Sequence, residues 1–208
     1  MMKRLLCTLL CVGMMMSLMT ACGDSKEGDS EMPENLAMED MDYGATMREL
    51  KDGKITVCFD HRFIEDEEMQ KVADYYYAVQ TQDLELFKST QNSEYLDYIE
   101  KNGGVTIEEY LKSIKNDDVQ AVGKDFAYTY IEATECGGRK DDLEIDEIIK
   151  LMEQVYTDAK KDTGFEKTVK DVKYIKLKIT AEAGGSSFTN EADTVYVFHC
   201  NEGVYVFK

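Results

Sequence analysis

The chain has 208 residues, with 24 Lys and Arg against 42 Asp and Glu and a formal net charge of -18. A surface this acidic repels phosphate backbones and anionic headgroups, which disfavours nucleic-acid binding and a polybasic membrane contact. Trp is absent and there is a single proline, so any aromatic binding wall must be made from the 13 Tyr and 8 Phe.

Residues 1–21 place Lys3 and Arg4 ahead of an uncharged run from Leu5 to Leu18, with Ser17, Thr20 and Ala21 near its end. That order of charge, apolar core and small residues is the pattern of a secretory signal. The uncharged run falls short of the roughly 20 apolar residues a membrane span needs, which makes an uncleaved anchor helix the lesser reading. Met19-Thr20-Ala21-Cys22 resembles the lipobox of bacterial lipoproteins, with Met where Leu is usual three positions before the cysteine and Leu18 one position further back. The resemblance implies a diacylglyceryl group on the Cys22 thiol, cleavage ahead of Cys22, and anchoring on the outer face of the cell membrane. Two acyl chains hold a protein stably where one gives only marginal, reversible binding. An ordinary secretory signal followed by an incidental cysteine is the alternative.

Residues 23–47 carry eight carboxylates against Lys26 alone and few large apolar side chains. Such a stretch cannot bury enough apolar surface to order itself, so residues 22–53 are expected to be an acidic spacer. A flexible segment of that length spans roughly 25 to 30 Å end to end, enough to lift a domain off the headgroups. The remaining residues, 54–208, are of a size that folds around one hydrophobic core, and a single α+β domain is expected there.

Ile55, Val57 and Phe59 alternate with Thr56 and Cys58, which is a strand. Four acids, Glu65 to Glu68, then precede Met69, Val72, Tyr76 and Val79 at three- and four-residue spacing, predicting an amphipathic helix to about Thr81 with negative charge at its positive end. Asp83 and Ser93 are positioned to cap two short helices, the second ended by Gly103-Gly104, and Thr106 with Glu109 forms a capping box for a third that buries Ile107, Tyr110, Leu111 and Ile114. Phe126, Tyr128 and Tyr130 alternate in a strand expected to close at Gly137-Gly138. Residues 141–161 return to helix, with Ile145, Ile148, Ile149, Met152, Val155, Tyr156 and Ala159 as one stripe. A closing run of strands follows: Ile175, Leu177, Ile179 and Ala181 on one buried face, a loop at Gly184-Gly185-Ser186-Ser187, a strand from Val195, and an Asn201-Glu202-Gly203 turn into Val204.

Helices followed by a terminal meander describe an α+β fold with N-terminal helices packed on a curved antiparallel sheet. Residues 72–87, with Tyr75-Tyr76-Tyr77-Ala78 then Asp83 and Leu84, resemble the opening helix of nuclear-transport-factor-two-like domains, the cystatin-like and SnoaL-like cones. The ending Asn201-Glu202-Gly203-Val204-Tyr205-Val206 resembles their closing hairpin, with Asn-Glu-Gly in place of the commoner Asp-Gly and Tyr205 where Trp is frequent. The resemblance covers residues 54–208. It implies that an enzyme of this type would set a carboxylate or histidine base inside the cone beside a hydroxyl donor, where burial lifts a carboxylate toward neutrality.

No base can be assigned by motif. His199 lies on a strand, where a satisfied or solvent-facing imidazole is the simpler reading, and His61 lies in a loop between Asp60 and Arg62, where a surface salt link is expected. Tyr76, Tyr128 and Tyr130 are the candidate pocket-lining residues, with Tyr75, Tyr77 and Tyr174 near them and ordinary core packing as the competing account. The acidic clusters at Glu65 to Glu68 and around Asp141-Asp142 lack the ligand spacing of a calcium loop, and no Cys/His metal spacing, phosphate loop or nucleophile elbow is present. No catalytic residue, metal or cofactor is expected. Of the six cysteines, Cys7 and Cys11 lie in the signal and Cys22 is the anchor; Cys58, Cys136 and Cys200 fit buried small hydrophobes, with one bridge, Cys136 to Cys200 or Cys58 to Cys200, left open. The expected function is a lipid-anchored, non-catalytic binding or accessory module of the envelope whose protein or small-molecule partner is not specified. The alternatives are a SnoaL-like small-molecule enzyme and a structural partner in an envelope complex.

Overall fold

The computed structural model describes residues 44–138, 144–159 and 168–208. The signal, Cys22 and most of the expected spacer lie outside the described residues. Part of what reads as spacer is a strand: β1 (Ala45–Leu50) pairs antiparallel with β2 (Ile55–Asp60). A strand needs only backbone partners, and the turn between these two places Lys51, Asp52 and Gly53 all at positive φ, so Asp52-Gly53 closes a hairpin that acidic composition hides.

The helices follow in the predicted order. Helix α1 (Asp66–Thr81) starts from Glu65, and α2 (Leu84–Thr90) from Asp83, whose carboxylate accepts the Leu86 amide at 3.0 Å. Helix α3 (Ser93–Tyr98) is capped by Asn92 and not Ser93, one residue earlier than expected, with the Tyr95 amide 3.2 Å from the Asn92 oxygen. A π-helical turn, Ile99–Gly103, ends at Gly104 in the left-handed region. Helix α4 (Ile107–Ala121) opens on the predicted box, in which Glu109 N donates to Thr106 at 3.2 Å and Thr106 N donates back to Glu109 at 2.9 Å. Then come β3 (Ala127–Gly138), α5 (Glu144–Asp158), β4 (Val169–Ala183), β5 (Ser186–Cys200) and β6 (Val204–Phe207).

The six strands form one sheet in the order β1 to β6. It is mixed, which corrects the expectation of an antiparallel sheet: β2 and β3 run parallel because the four helices α1 to α4 cross between them and return the chain in the same direction. From β3 to β6 the pairing is the expected antiparallel meander. Gly184 and Gly185, both at positive φ, form a two-residue hairpin loop between Ala183 and Ser186.

Side-chain parity divides the sheet into two faces. One carries Ile55 and Val57 of β2, Ile131 of β3, Ile175 and Leu177 of β4, and Val195 and Val197 of β5, all at 0 % exposure. Helix α1 packs there through Met69, Val72, Tyr76 and Val79. The opposite face, at the β4–β6 end, carries Tyr174, Tyr196, Phe198, Cys200 and Phe207, also buried. Helix α3 reaches it through Tyr95, whose ring lies 4.8 Å from that of Phe207, and α5 through Tyr156 on Cys200. Helices therefore cover both faces, whereas an open cone would cover one. At the β2–β3 end the outer face bears Thr56, Cys58, Tyr130 and Glu132, half-buried and polar, so no apolar sheet face is left open among the described residues.

Gly137 and Gly138 do not close β3; they belong to it. Gly137 pairs with Tyr174 on β4, and a Cβ at Gly137 would sit 2.7 Å from that ring. Glycine is there because an aromatic ring occupies the space of a side chain. Gly137→Ala is expected to cost about 1 to 3 kcal/mol through overpacking, read as a lower urea midpoint at unchanged slope; an unchanged midpoint would show that the ring does not cover this position.

Candidate functional site

Polar side chains gather at both ends of α1, on the sheet face it covers. At its N-terminal end Glu68, fully buried, accepts the Glu65 amide at 2.7 Å and closes a capping box. The same carboxylate meets Lys173 of β4 at 3.0 and 3.1 Å and lies 2.7 Å from His199 Nε2 of β5. An ionised carboxylate only accepts, so the amide, the ammonium and the imidazole all donate to it. Its oxygens are saturated. The acids at the start of this helix answer the dipole as expected, but one of them also turns inward and bolts the helix to two strands.

Near the C-terminal end of α1, Tyr76 and Tyr128 come together with ring centroids 5.1 Å apart in an edge-to-face pair. The Tyr76 hydroxyl donates to Asp193 of β5 at 2.9 Å, and Lys208 Nζ pairs with the same carboxylate, lies 3.2 Å from the Tyr76 oxygen and sits over its ring, 4.9 Å from the centroid. Tyr128 donates to Asp118 of α4. Burial, followed by the nearby carboxylates, pushes both phenols far above their ordinary range, which keeps them neutral donors. Burial also raises the Asp118 carboxyl, against the Tyr128 hydrogen bond and Lys208, which lower it.

The third candidate, Tyr130, is separated from these two. A β-bulge between Tyr128 and Tyr130 inserts Thr129, so Ile131 and not Tyr130 follows Tyr128 onto the helix side. Tyr130 lies on the outer face beside Cys58 and Glu132, where burial raises its phenol. His61 contacts Thr46 at 3.1 Å, while Arg62 pairs with Asp60 and holds that carboxyl down at about 2 through their hydrogen bonds. Cys58, Cys136 and Cys200 are free thiols, and burial pushes Cys200 up to about 11, which removes its thiolate at neutral pH. Cys22 lies outside the described residues.

Among the described residues no group of three or more His, Cys, Asp or Glu is placed to hold a metal, and no buried side-chain nitrogen or oxygen lacks a partner. The Lys173–Glu68–His199 and Lys208–Asp193–Tyr76 groupings escape sequence reading, because the helix residues Glu68 and Tyr76 lie 105 to 132 residues from their strand and C-terminal partners and leave no local spacing. What signals them in retrospect is a charged or hydroxyl-bearing residue on an apolar stripe: Glu68 ahead of Met69 and Val72, and Asp193 in step with Val195 and Val197. Comparison of the chain with protein-family models, curated proteins and solved structures gives no match.

The raised Asp118 carboxyl has a measurable consequence. A carboxyl raised in the fold favours the folded state most fully below its unfolded value, and that contribution is lost as pH rises through the raised value. Above it, ionised Asp118 opposes folding. Asp118→Asn, which keeps an acceptor for Tyr128, is expected to raise the melting temperature at pH 7, with the gain shrinking toward pH 3.5. A lower melting temperature for the variant at pH 7 would contradict this account.

Proposed function

We propose that the chain is a bacterial lipoprotein, tethered through lipid on Cys22 to the outer face of the cell membrane, whose α+β domain is a non-catalytic binding or accessory module. The anchoring half of this reading is carried by the charged, apolar and small-residue order of residues 1–21 and by Met19-Thr20-Ala21-Cys22. The non-catalytic half is carried by saturation of the group an enzyme would use. Glu68 is the one fully buried carboxylate beside a histidine among the described residues, and all its oxygens are occupied by the Glu65 amide, Lys173 and His199. A general base must reach a substrate proton with a free lone pair.

The fold reading that accompanies this is a relative of the cystatin-like cone. Support for it is α1 laid on the antiparallel run β3–β6, followed by the Asn201-Glu202-Gly203 turn. The β1–β2 hairpin and the covering helix α5 are additions to that plan. An envelope partner held by a broad apolar face is the weaker reading, since the large exposed apolar side chains among the described residues, Met47, Phe63 and Val105, sit singly on separate segments.

Metabolic labelling with a palmitate analogue tests the anchor. The full chain is expected to take up label and to sediment with membranes, and Cys22→Ser to lose both. Label persisting in Cys22→Ser would overturn the lipoprotein reading.

A further inference from the structure

The ammonium of Lys208 is held as a ligand is held. It has a carboxylate, Asp193, whose side chain is 13 % exposed; a hydroxyl acceptor, Tyr76 Oη, at 3.2 Å; and an aromatic face at 4.9 Å. Those are the three partners that recognise a primary ammonium, and a cation over a partly desolvated ring adds about 0.5 to 2 kcal/mol to such contacts. The walls are fixed: Tyr76 and Tyr128 are 2 % and 7 % exposed and lock each other edge to face.

The occupant is different. Lys208 follows Phe207, the last residue of β6, and no ladder pair involves it. Its side chain is 33 % exposed, so it can swing into water while every strand pair stays intact. With that ammonium gone, Asp193 and Asp118 would act on each other across the two phenols with no cation to offset them, and Asp117 adds to the same field. The Lys173–Glu68 pair lacks this character, because Glu68 without Lys173 would still hold His199 and a backbone amide.

We propose that Tyr76, Asp193, Tyr128 and Asp118 form a seat for a primary alkylammonium group, and that Lys208 occupies it as a tethered, displaceable ligand. This deepens the binding-module reading by naming the class of ligand: a free alkyl amine or the lysine side chain of a partner protein, both offering the same ammonium on a methylene stem. Lys208 then sets the threshold. A tethered group competes at an effective concentration on the order of millimolar, so an outside amine enters only when it exceeds that or brings contacts of its own.

The test uses Lys208→Met, which keeps the apolar stem and removes the charge, with Lys208→Gln as a second variant should the first not fold. Each is titrated with 1,5-diaminopentane or with a capped Gly-Lys-Gly peptide, and sodium chloride at matched ionic strength gives the baseline. The readouts are the ring signals of Tyr76 and Tyr128 by NMR and the melting temperature. Saturable shifts are expected at concentrations at least tenfold lower than in the natural chain, and they should vanish when Asp193→Asn is added. Saturation by the diamine alone supports a free amine as the natural ligand, and saturation by the peptide at equal or lower concentration supports a partner's lysine. Should neither variant fold, the natural chain itself must show the same two ring shifts at the higher amine concentration. Responses that only track ionic strength, or that survive Asp193→Asn, overturn the seat. Palmitate labelling at Cys22 is unaffected by any of these outcomes, so failure here leaves the anchor reading standing on its own test.

Discussion

Glu68→Ala is expected to lower the unfolding free energy by about 3 kcal/mol, the lower end of the range for breaking a buried ion pair by removing one partner. The lower end applies because the groups left behind can escape. Lys173 and His199 are 22 % and 21 % exposed, so each can turn to water, whereas Glu68 is at 0 %. Two further losses keep the effect from being smaller: the box on the Glu65 amide, where capping interactions contribute on the order of 1 kcal/mol, and the cavity left by the side chain. For a domain of this size the melting temperature should fall by roughly 6 to 12 °C. Glu68→Gln separates the contributions, since glutamine also serves at this position of a capping box. The glutamine variant reads the lost charge, and the difference between it and alanine reads the cap and the packing. The reverse cut, Lys173→Met, leaves the buried carboxylate with the imidazole and one amide and should cost at least as much as Glu68→Ala. If Glu68→Ala unfolded within 0.5 kcal/mol of the natural chain, α1 would not be bolted to β4 and β5 through this carboxylate, and the case against a free base at Glu68 would fall with it.

The elements legible in the sequence are those whose period is set by one neighbour. The stripe of α1, the Thr106–Glu109 box and the apolar face Ile175 to Ala181 each follow from local spacing, and the structure has them at those residues. The misreadings share a different cause. The β1 strand hides because an edge strand needs no apolar alternation, and Gly137-Gly138 reads as a turn because glycine also serves where a cross-strand ring comes close. The parallel step from β2 to β3 depends on how the four helices α1 to α4 return the chain, which no window of residues encodes. Strict alternation groups Tyr130 with Tyr128, and one inserted residue, Thr129, moves it to the other face. At the site, two of the three candidate tyrosines, Tyr76 and Tyr128, lie in contact, and no local spacing signals the carboxylates that order them. Asp193 and Asp118 come from β5 and α4, and only the closed sheet brings them to Tyr76 and Tyr128.

The covering of the second face by α5 makes the other large prediction. Val155 is 1 % exposed on the stripe that also buries Ile145, Ile149, Met152 and Tyr156. Tyr156 accepts a hydrogen bond from Asn92 at 3.0 Å and touches Cys200, so α5 is held both to the start of α3 and to β5. Val155→Asp would put a carboxylate into that interface, where the ammonium in the same cleft, Lys101, is already paired with Asp97 and the other acids nearby are Glu94 and Asp158. An isolated charge there must either stay protonated or pull the helix off the sheet, and either course is expected to cost at least about 3 kcal/mol. Detachment would uncover Tyr196 and Phe198, buried at 7 % and 1 %, and the variant should gain binding of a dye that reports exposed apolar surface. Val155→Ala serves as the control, because it removes two methyl groups without adding charge and should cost no more than about 2 kcal/mol. A Val155→Asp protein with natural stability and no dye binding would mean that α5 is not held against α3 and the covered sheet face through this side chain. The β4–β6 face would then be less firmly covered, and the place to look for a partner would move there from the seat around Lys208.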